Sequence, residues 1–332
     1  MRLSLIKLWQ NWKQMESELQ KYDHISQANA VFGIHLVDTA EAYPNLKILA
    51  ADMAVAGSIE RFKYSYPNQF LDLGIAEQNL VGVAAGLANE GYRPIAVAQG
   101  CFISMRSFEM NRQYLGYMGN PVVLVGLNSG FFLQYFGNTH YAIEDLAIMR
   151  TIPNMQVFSP CDAYEAILCT EAALNSENPS YIRLTGGATL PLMHPDGYNF
   201  RLGKADVLKE GSDICIYATG AMVFRAMETA ERLESEGYSV EIVNVHTIKP
   251  FDNEHVVNQK GKTLIVSIEE HNIIGGLGSA VADAMSESEG MPVLLKLGVK
   301  DCFSKPGCYD YLLEQHRLTT EKITEDILKK MK

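Results

Sequence analysis

The segment Asp72-Leu73-Gly74-Ile75-Ala76-Glu77-Gln78-Asn79 sets one carboxylate, Glu77, at the start of a helical run. The next turns of that run are small and apolar: Leu80, Val81, Gly82, Val83, Ala84, Ala85, Gly86 and Leu87. An acid in a first turn has an ordinary structural use, because the helix macrodipole favours negative charge there by about 0.5 kcal/mol. The neighbours point to a second use. A helix able to pack closely on every face is a buried helix, and a buried glutamate without a nearby cation has its pKa raised, so it can hold or pass a proton. Both uses remain open from spacing alone. Other chemistry is less well supported. The six cysteines (Cys101, Cys161, Cys169, Cys215, Cys302 and Cys308) form no CxxC pair, no histidine stands at zinc-finger spacing, and all six read as reduced core thiols. Gly276-Leu277-Gly278, after the strand Thr263–Ile268, fails the dinucleotide fingerprint, since Val281 stands where its third glycine belongs.

Holding such a group in place requires a rigid frame. A chain of 332 residues, 47% hydrophobic and 20% charged, has the material for two domains with full cores. Short β-rich runs alternate with helices: Lys47–Ala51, Phe70–Leu73, the helix Ala76–Glu90, Pro94–Ala98, a helix near Phe102–Tyr117, Pro121–Leu127, a helix Ile143–Arg150, Met155–Ser159, the helix Asp162–Asn175 and Ser180–Leu184. The pattern lapses around Gly186–Lys204, where Pro191, Pro195 and Gly197 mark turns, and then restarts. Its second part runs through Asp213–Thr219, Ala221–Glu236, Ser239–Val245, Lys262–Ile268, Leu277–Glu287, Pro292–Leu297 and two terminal helices. The expected fold class is α/β, two doubly wound domains with mostly parallel sheets. The expected divisions are a helical extension over 1–25, a first domain over 26–190 and a second over 200–332. Lys and Arg total 28 against 39 Asp and Glu, a net charge of −11, which excludes a basic field for nucleic acid. No apolar run reaches the roughly 20 residues of a bilayer span. Met1–Trp12, broken by Arg2 and Lys7, lacks a cleavage site, so the expectation is a soluble, cytoplasmic chain with no membrane partner.

Gly-Ile-Ala-Glu-Gln-Asn followed by Val-Gly-Val-Ala-Ala-Gly-Leu resembles the pyrimidine-binding motif of the thiamine-diphosphate-dependent transketolases, in the split form whose halves are separate chains. Ala30–Leu184 is similar to their pyrimidine-binding domain and Leu202–Lys332 to their C-terminal domain. The runs His246–Asp252 and Glu269–Gly278 carry the second likeness. The resemblance implies that Glu77 hydrogen-bonds N1′ of the cofactor's aminopyrimidine and favours its imino tautomer. It implies that Phe102 stacks on the same ring, and that His140, in Thr139-His140, faces the reacting carbonyl and transfers protons. Asp52 and Met53 resemble the Asp-Leu that the family places at the subunit boundary, and Met105, also expected beside the cofactor, stands where a tyrosine or serine is usual. The family's Gly-Asp-Gly segment for the diphosphate and its Mg²⁺ (or Ca²⁺) is absent. The resemblance therefore implies that a separate diphosphate-binding subunit holds the metal, in an α2β2 assembly.

The chain also departs from that pattern. Phe136 stands where the family places an acid that recognises the donor's hydroxyl. Asn128, twelve residues before His140, replaces a histidine, while Asn29 and Gly186 replace arginines and Gln99 replaces an aromatic. Phosphate-binding cations are lost and Phe131, Phe132, Tyr135 and Phe136 are gained. The resemblance with these departures implies ketol transfer to a non-phosphorylated, partly apolar acceptor. Two alternatives are acyl chemistry of the kind carried out by 2-oxo-acid dehydrogenases, whose β chains share these two domains, and a non-catalytic scaffold role. In a further alternative to the pocket reading, the aromatics are loop packing and the partner chain binds the phosphate.

Overall fold

The computed structural model describes residues 28–185, 191–194 and 199–332. The expected helical extension over 1–25 lies outside them, as do Gly186, Pro195 and Gly197. The first sheet contains β1 (Leu46–Ala50), β2 (Phe70–Asp72), β3 (Arg93–Gln99), β4 (Val123–Ser129), β5 (Gln156–Phe158) and β6 (Ser180–Thr185). The second contains β7 (Asp206–Lys209), β8 (Ile214–Ala218), β9 (Val240–Asn244), β11 (Leu264–Asn272) and β12 (Val293–Val299). β10 (Thr247–Lys249), although it follows β9 in the chain, joins the first sheet. The orders are β10-β5-β6-β4-β3-β1-β2, seven strands, and β12-β11-β8-β9-β7, five strands. Parallel pairing dominates; β10 against β5 and β7 against β9 are the antiparallel exceptions. The central strands are buried along their whole length and mainly apolar, as β4, β8 and β9 show, because helices cover both faces of a parallel sheet.

Among the elements that differ from expectation, two bear on the site. The helix Ala28–Ala42 has no counterpart in the expected pattern: Val31, Phe32, Leu36 and Ala40 are buried, but so are Asn29, Gly33, His35 and Thr39, which leaves no simple apolar stripe to detect. Gly33 is the contact point, since a Cβ there would lie 2.3 Å from the Ser58 carbonyl oxygen. The expected single helix Phe102–Tyr117 is instead a π-helical turn Phe102–Arg106, a short α-helix Phe108–Met110 and a second π-helical segment Asn111–Tyr117. Wide turns of this kind recur beside functional sites. The thiols also differ. Cys101, Cys161, Cys169 and Cys215 are buried, but Cys302 and Cys308 are exposed, on the loop that precedes the helix Tyr309–Gln315. Among the described residues, no helix is long and apolar enough to cross a membrane.

One buried ion pair ties the parts together. Arg183, on β6, and Asp145, at the start of the helix Asp145–Thr151, are both cut off from solvent. Arg183 Nε donates to Asp145 Oδ2 at 3.0 Å and Oδ1 at 3.2 Å, and Tyr181 Oη donates to Oδ2 at 2.7 Å. Arg183 Nη2 also donates to the carbonyls of Ala142 and Glu270, both at 2.9 Å, so one guanidinium bonds to both domains. Asp145→Ala leaves that cation buried without its hydrogen-bonded carboxylate and is expected to cost about 3–5 kcal/mol, read as a lower urea midpoint at an unchanged m-value. Arg232→Ala, at the exposed pair with Glu321, is expected to leave the midpoint where it is.

Candidate active site

From β1 the chain passes to β2 on one side, and β3 then takes the other side of β1, so the direction of winding reverses between β1 and β3. At such a reversal the loops leaving the strands' carboxyl ends diverge and open a crevice. Asp52 follows β1, Glu77 follows β2, Gln99 and Phe102 lie at and beyond the end of β3, and Asn128 lies near the end of β4. The candidates therefore converge at one edge because the strands run parallel.

Glu77 opens the helix Glu77–Asn89 and is 3% exposed. Phe102 begins the π-helical turn, and Arg106, four residues on, shares its face. Arg106 Nη1 donates to Glu77 Oε2 at 2.8 Å, and its guanidinium carbon lies 4.1 Å from the centre of the Phe102 ring. The environment expected for Glu77, buried and without a cation, is thus corrected on the second count. Arg106 is absent from the sequence candidates; a basic residue one helical turn past the aromatic is the available signal. His140 also meets Phe102, edge-on, with ring centres 5.3 Å apart at 69°. The His140 ring also lies 5.1 Å from that of Phe136. Thr139 Oγ1 donates to the Phe136 carbonyl at 3.3 Å and lies 2.9 Å from His140 Nδ1. That hydroxyl is therefore placed to accept from Nδ1–H, a tautomer whose Nε2 keeps its lone pair. Burial, with Asp145 nearby, pushes the adjacent Cys101 thiol up to about 12, so at neutral pH it is a packing group rather than a nucleophile.

A second, polar group gathers at the ends of β3 and β4. Asn29 Nδ2 donates to Asn128 Oδ1 at 3.0 Å, and Asn128 Nδ2 donates to Gln99 Oε1 at 3.2 Å. All three are buried, at 8, 6 and 6% exposure. Asn128 holds φ +53°, a left-handed conformation that asparagine tolerates. Among the described residues, the buried Asn29 Oδ1 has no hydrogen-bond partner. Three substitutions read separately in the sequence are therefore one chain of neutral amides.

The remaining candidates are spread more widely. Asp52 is exposed, with its amide donating to Asp72 Oδ1 at 3.0 Å, and Met53 packs on the core of the first sheet. Met105 is exposed beside Arg106, and Val55 and Ile75 are each 73% exposed in the loops after β1 and β2. Phe136 is 66% exposed, but Phe131 is fully buried against Val299 and Leu312, so its place among pocket aromatics is corrected to loop packing. In the second domain, Glu269 accepts the amides of Leu277 and Gly278 at 2.7 and 2.8 Å. The helix terminus that a dinucleotide phosphate would need is thus capped by the chain's own carboxylate. Among the described residues, no group of three or more His, Cys, Asp or Glu side chains is arranged to hold a metal.

Residues 27–189 match the model of the transketolase pyrimidine-binding domain, and residues 203–323 that of the transketolase C-terminal domain. The chain is 40% identical over 291 residues to the 6-deoxy-6-sulfo-D-fructose transketolase subunit SqwH of Clostridium sp. (strain MSTE9), covering 87% of this chain and 89% of that one. It is 38% identical over 249 residues to an apulose-4-phosphate transketolase subunit of Actinobacillus succinogenes, covering 75% and 79%. A solved split-gene transketolase, described as an inactive β4 tetramer, superposes with a TM-score of 0.83 at 38% identity, over 91% of this chain and 97% of that one. Two family domains in the expected order, on a fold shared with a split-gene enzyme, lead to one conclusion: the chain belongs to the transketolase family, as the subunit of a split transketolase that carries the pyrimidine-binding and C-terminal domains.

Proposed function

We propose that this chain is half of a two-component thiamine-diphosphate enzyme that moves a two-carbon ketol unit from a ketose to an uncharged, partly apolar acceptor. The single observation that carries this reading is the convergence of Glu77, Phe102 and His140 on one crevice, beside a neutral amide chain. The aminopyrimidine fits the groups present: a buried carboxylate for N1′ and an aromatic face at its side. It meets a competitor, since Arg106 takes the Glu77 carboxylate and lies on the Phe102 ring. When bound, thiamine diphosphate supplies the electron sink that makes a two-carbon acyl anion equivalent accessible. In this reading Glu77 holds the proton at N1′, Phe102 fixes the plane of the ring, and His140 Nε2 takes and returns the proton of the reacting carbonyl's oxygen. The amide chain offers the acceptor hydrogen bonds without a cation, and Phe136 offers an apolar wall. The exposed Val55, Ile75 and Met105 form an apolar rim at the same edge, which supports a partner chain that covers it and holds the diphosphate and its Mg²⁺.

A second reading is favoured by the relatives' names, which specify a sulfonated and a phosphorylated sugar. An anion would then be met by residues of the partner chain. To separate the two, this chain is mixed with the product of its neighbouring reading frame, thiamine diphosphate, Mg²⁺ and candidate donors, then acid-quenched for mass spectrometry of the cofactor. Gain of a glycolaldehyde unit from a ketose is expected; gain of an acetaldehyde unit from pyruvate would move the protein to acyl transfer. Steady-state comparison of acceptors follows, and a preference for phosphorylated or sulfonated sugars of about 100-fold or more would overturn the uncharged-acceptor reading. Glu77→Gln is expected to lower turnover by on the order of 10²–10⁴ while assembly of the two components by size exclusion is unchanged. Arg106→Met removes the competitor, so tighter binding of thiamine diphosphate is expected by calorimetry on the assembled complex, and weaker binding would show that the guanidinium instead assists the cofactor.

A further inference from the structure

The loop that carries His140 is folded on the second domain. Its ends are joined by Gly130 N to Ala142 O at 3.0 Å and Ala142 N to Gly130 O at 3.2 Å. Between them, Phe131 and Tyr141 point away from the crevice and, with Ile143, pack against Val299 and Leu312. This small core is half built by the second domain, and Phe131 also stacks on His316 with ring centres 5.2 Å apart at 10°. The polar contacts have the same origin. Glu270, buried on β11, accepts the Phe131 amide on Oε1 at 2.5 Å and the Tyr309 hydroxyl on Oε2 at 2.9 Å. Glycine suits position 130, which holds φ +70° and where a Cβ would also lie 2.4 Å from Glu270 Oε1. At the loop's far end Asn138 Nδ2 donates to the Ser304 carbonyl at 2.8 Å, and the Ser304 amide donates back to Asn138 Oδ1 at 2.9 Å. His140 lies two residues beyond Asn138, with its amide bonded to the Gly137 carbonyl at 2.9 Å.

We propose that the second domain is the template of this loop, and that Glu270 and Asn138 are positioning residues that set the His140 ring against Phe102. The proposal rests on the reading of His140 as the proton-transfer group, and it gives a task to a domain that shows no chemistry of its own. A loop held at its base by a buried carboxylate and near its tip by a reciprocal pair of hydrogen bonds has few ways to move. A shift of about 1 Å in a proton-transfer group is enough to cost on the order of 100-fold in rate.

The test uses two readouts on the full chain. Asn138 is exposed, so Asn138→Ala removes the two Ser304 bonds without opening a cavity. Hydrogen–deuterium exchange is expected to quicken by about tenfold or more in peptides covering 130–142, with the strands of both sheets unchanged. In the assembled enzyme, kcat is expected to fall by about tenfold or more while the donor's KM moves less than about twofold. Glu270→Ala is expected to do the same, and Glu270→Gln, which still offers Phe131 an acceptor, to restore both readouts. Unchanged exchange in Asn138→Ala would overturn the template, whatever the activity. Faster exchange with unchanged kcat would overturn the positioning role and leave the ketol-transfer reading standing. If the wild-type pair transfers no two-carbon unit, that reading fails, and the exchange data alone still decide whether the second domain orders the loop.

Discussion

A guanidinium sealed from water must have its donors met, and the way Arg183 meets this condition organises the molecule. Asp145 satisfies one side at the head of a helix, and the carbonyls of Ala142 and Glu270 satisfy another. These partners belong to separate stretches of chain, which come together only when the two sheets stand in one arrangement. An unpaired buried charge costs several kcal/mol, so alternative dockings of the domains are penalised strongly rather than slightly. β10 adds a second tie, since the chain of the second domain returns to pair with β5 of the first.

That fixed relation of the sheets reaches the crevice through the loop between Gly130 and Ala142. Arg183 holds the carbonyl of Ala142 at one end, and Glu270 holds the amide of Phe131 near the other. Burial raises the Glu270 carboxyl above the ordinary carboxylate range; Arg183 and the bonds from Phe131 and Tyr309 oppose the shift. The loop's apolar side chains fill the seam, and its outward residues, Phe136 and His140, face the groups carried by the strand ends. The crevice thus has a wall from the first sheet and another whose position is set from the second.

Its buried carboxylate and its buried amides are satisfied in different ways. Arg106 and Glu77 neutralise each other, while the Asn29–Asn128–Gln99 chain carries dipoles only. A buried cation awaiting an anion would have to be stabilised in the meantime, whereas amides satisfy one another. The orphaned Asn29 Oδ1 is the exception, an acceptor that a hydroxyl-bearing molecule is suited to meet.

The amino-acid sequence by itself determined the α/β class, most strands and helices, and the position of Glu77 at a buried helix start. These follow from local patterns: apolar runs of strand length, small residues on every face of a helix, glycine and proline at turns. The pairing of Asn29 with Asn128 and Gln99 was legible only as three isolated substitutions, because residues up to 99 positions apart meet through strand order. The helix Ala28–Ala42 escaped notice because it is buried on more than one side, and the π-helical turns because no local pattern announces them. The cation beside Glu77 had only the spacing of Arg106 from Phe102 as a signal, and the burial of Phe131 and the seat of the His140 loop on the second domain were decided by tertiary structure alone. Each depends on which face a side chain meets across the sheet or the domain seam, and that choice is made by packing and by the satisfaction of buried charge, neither of which has a period in the sequence.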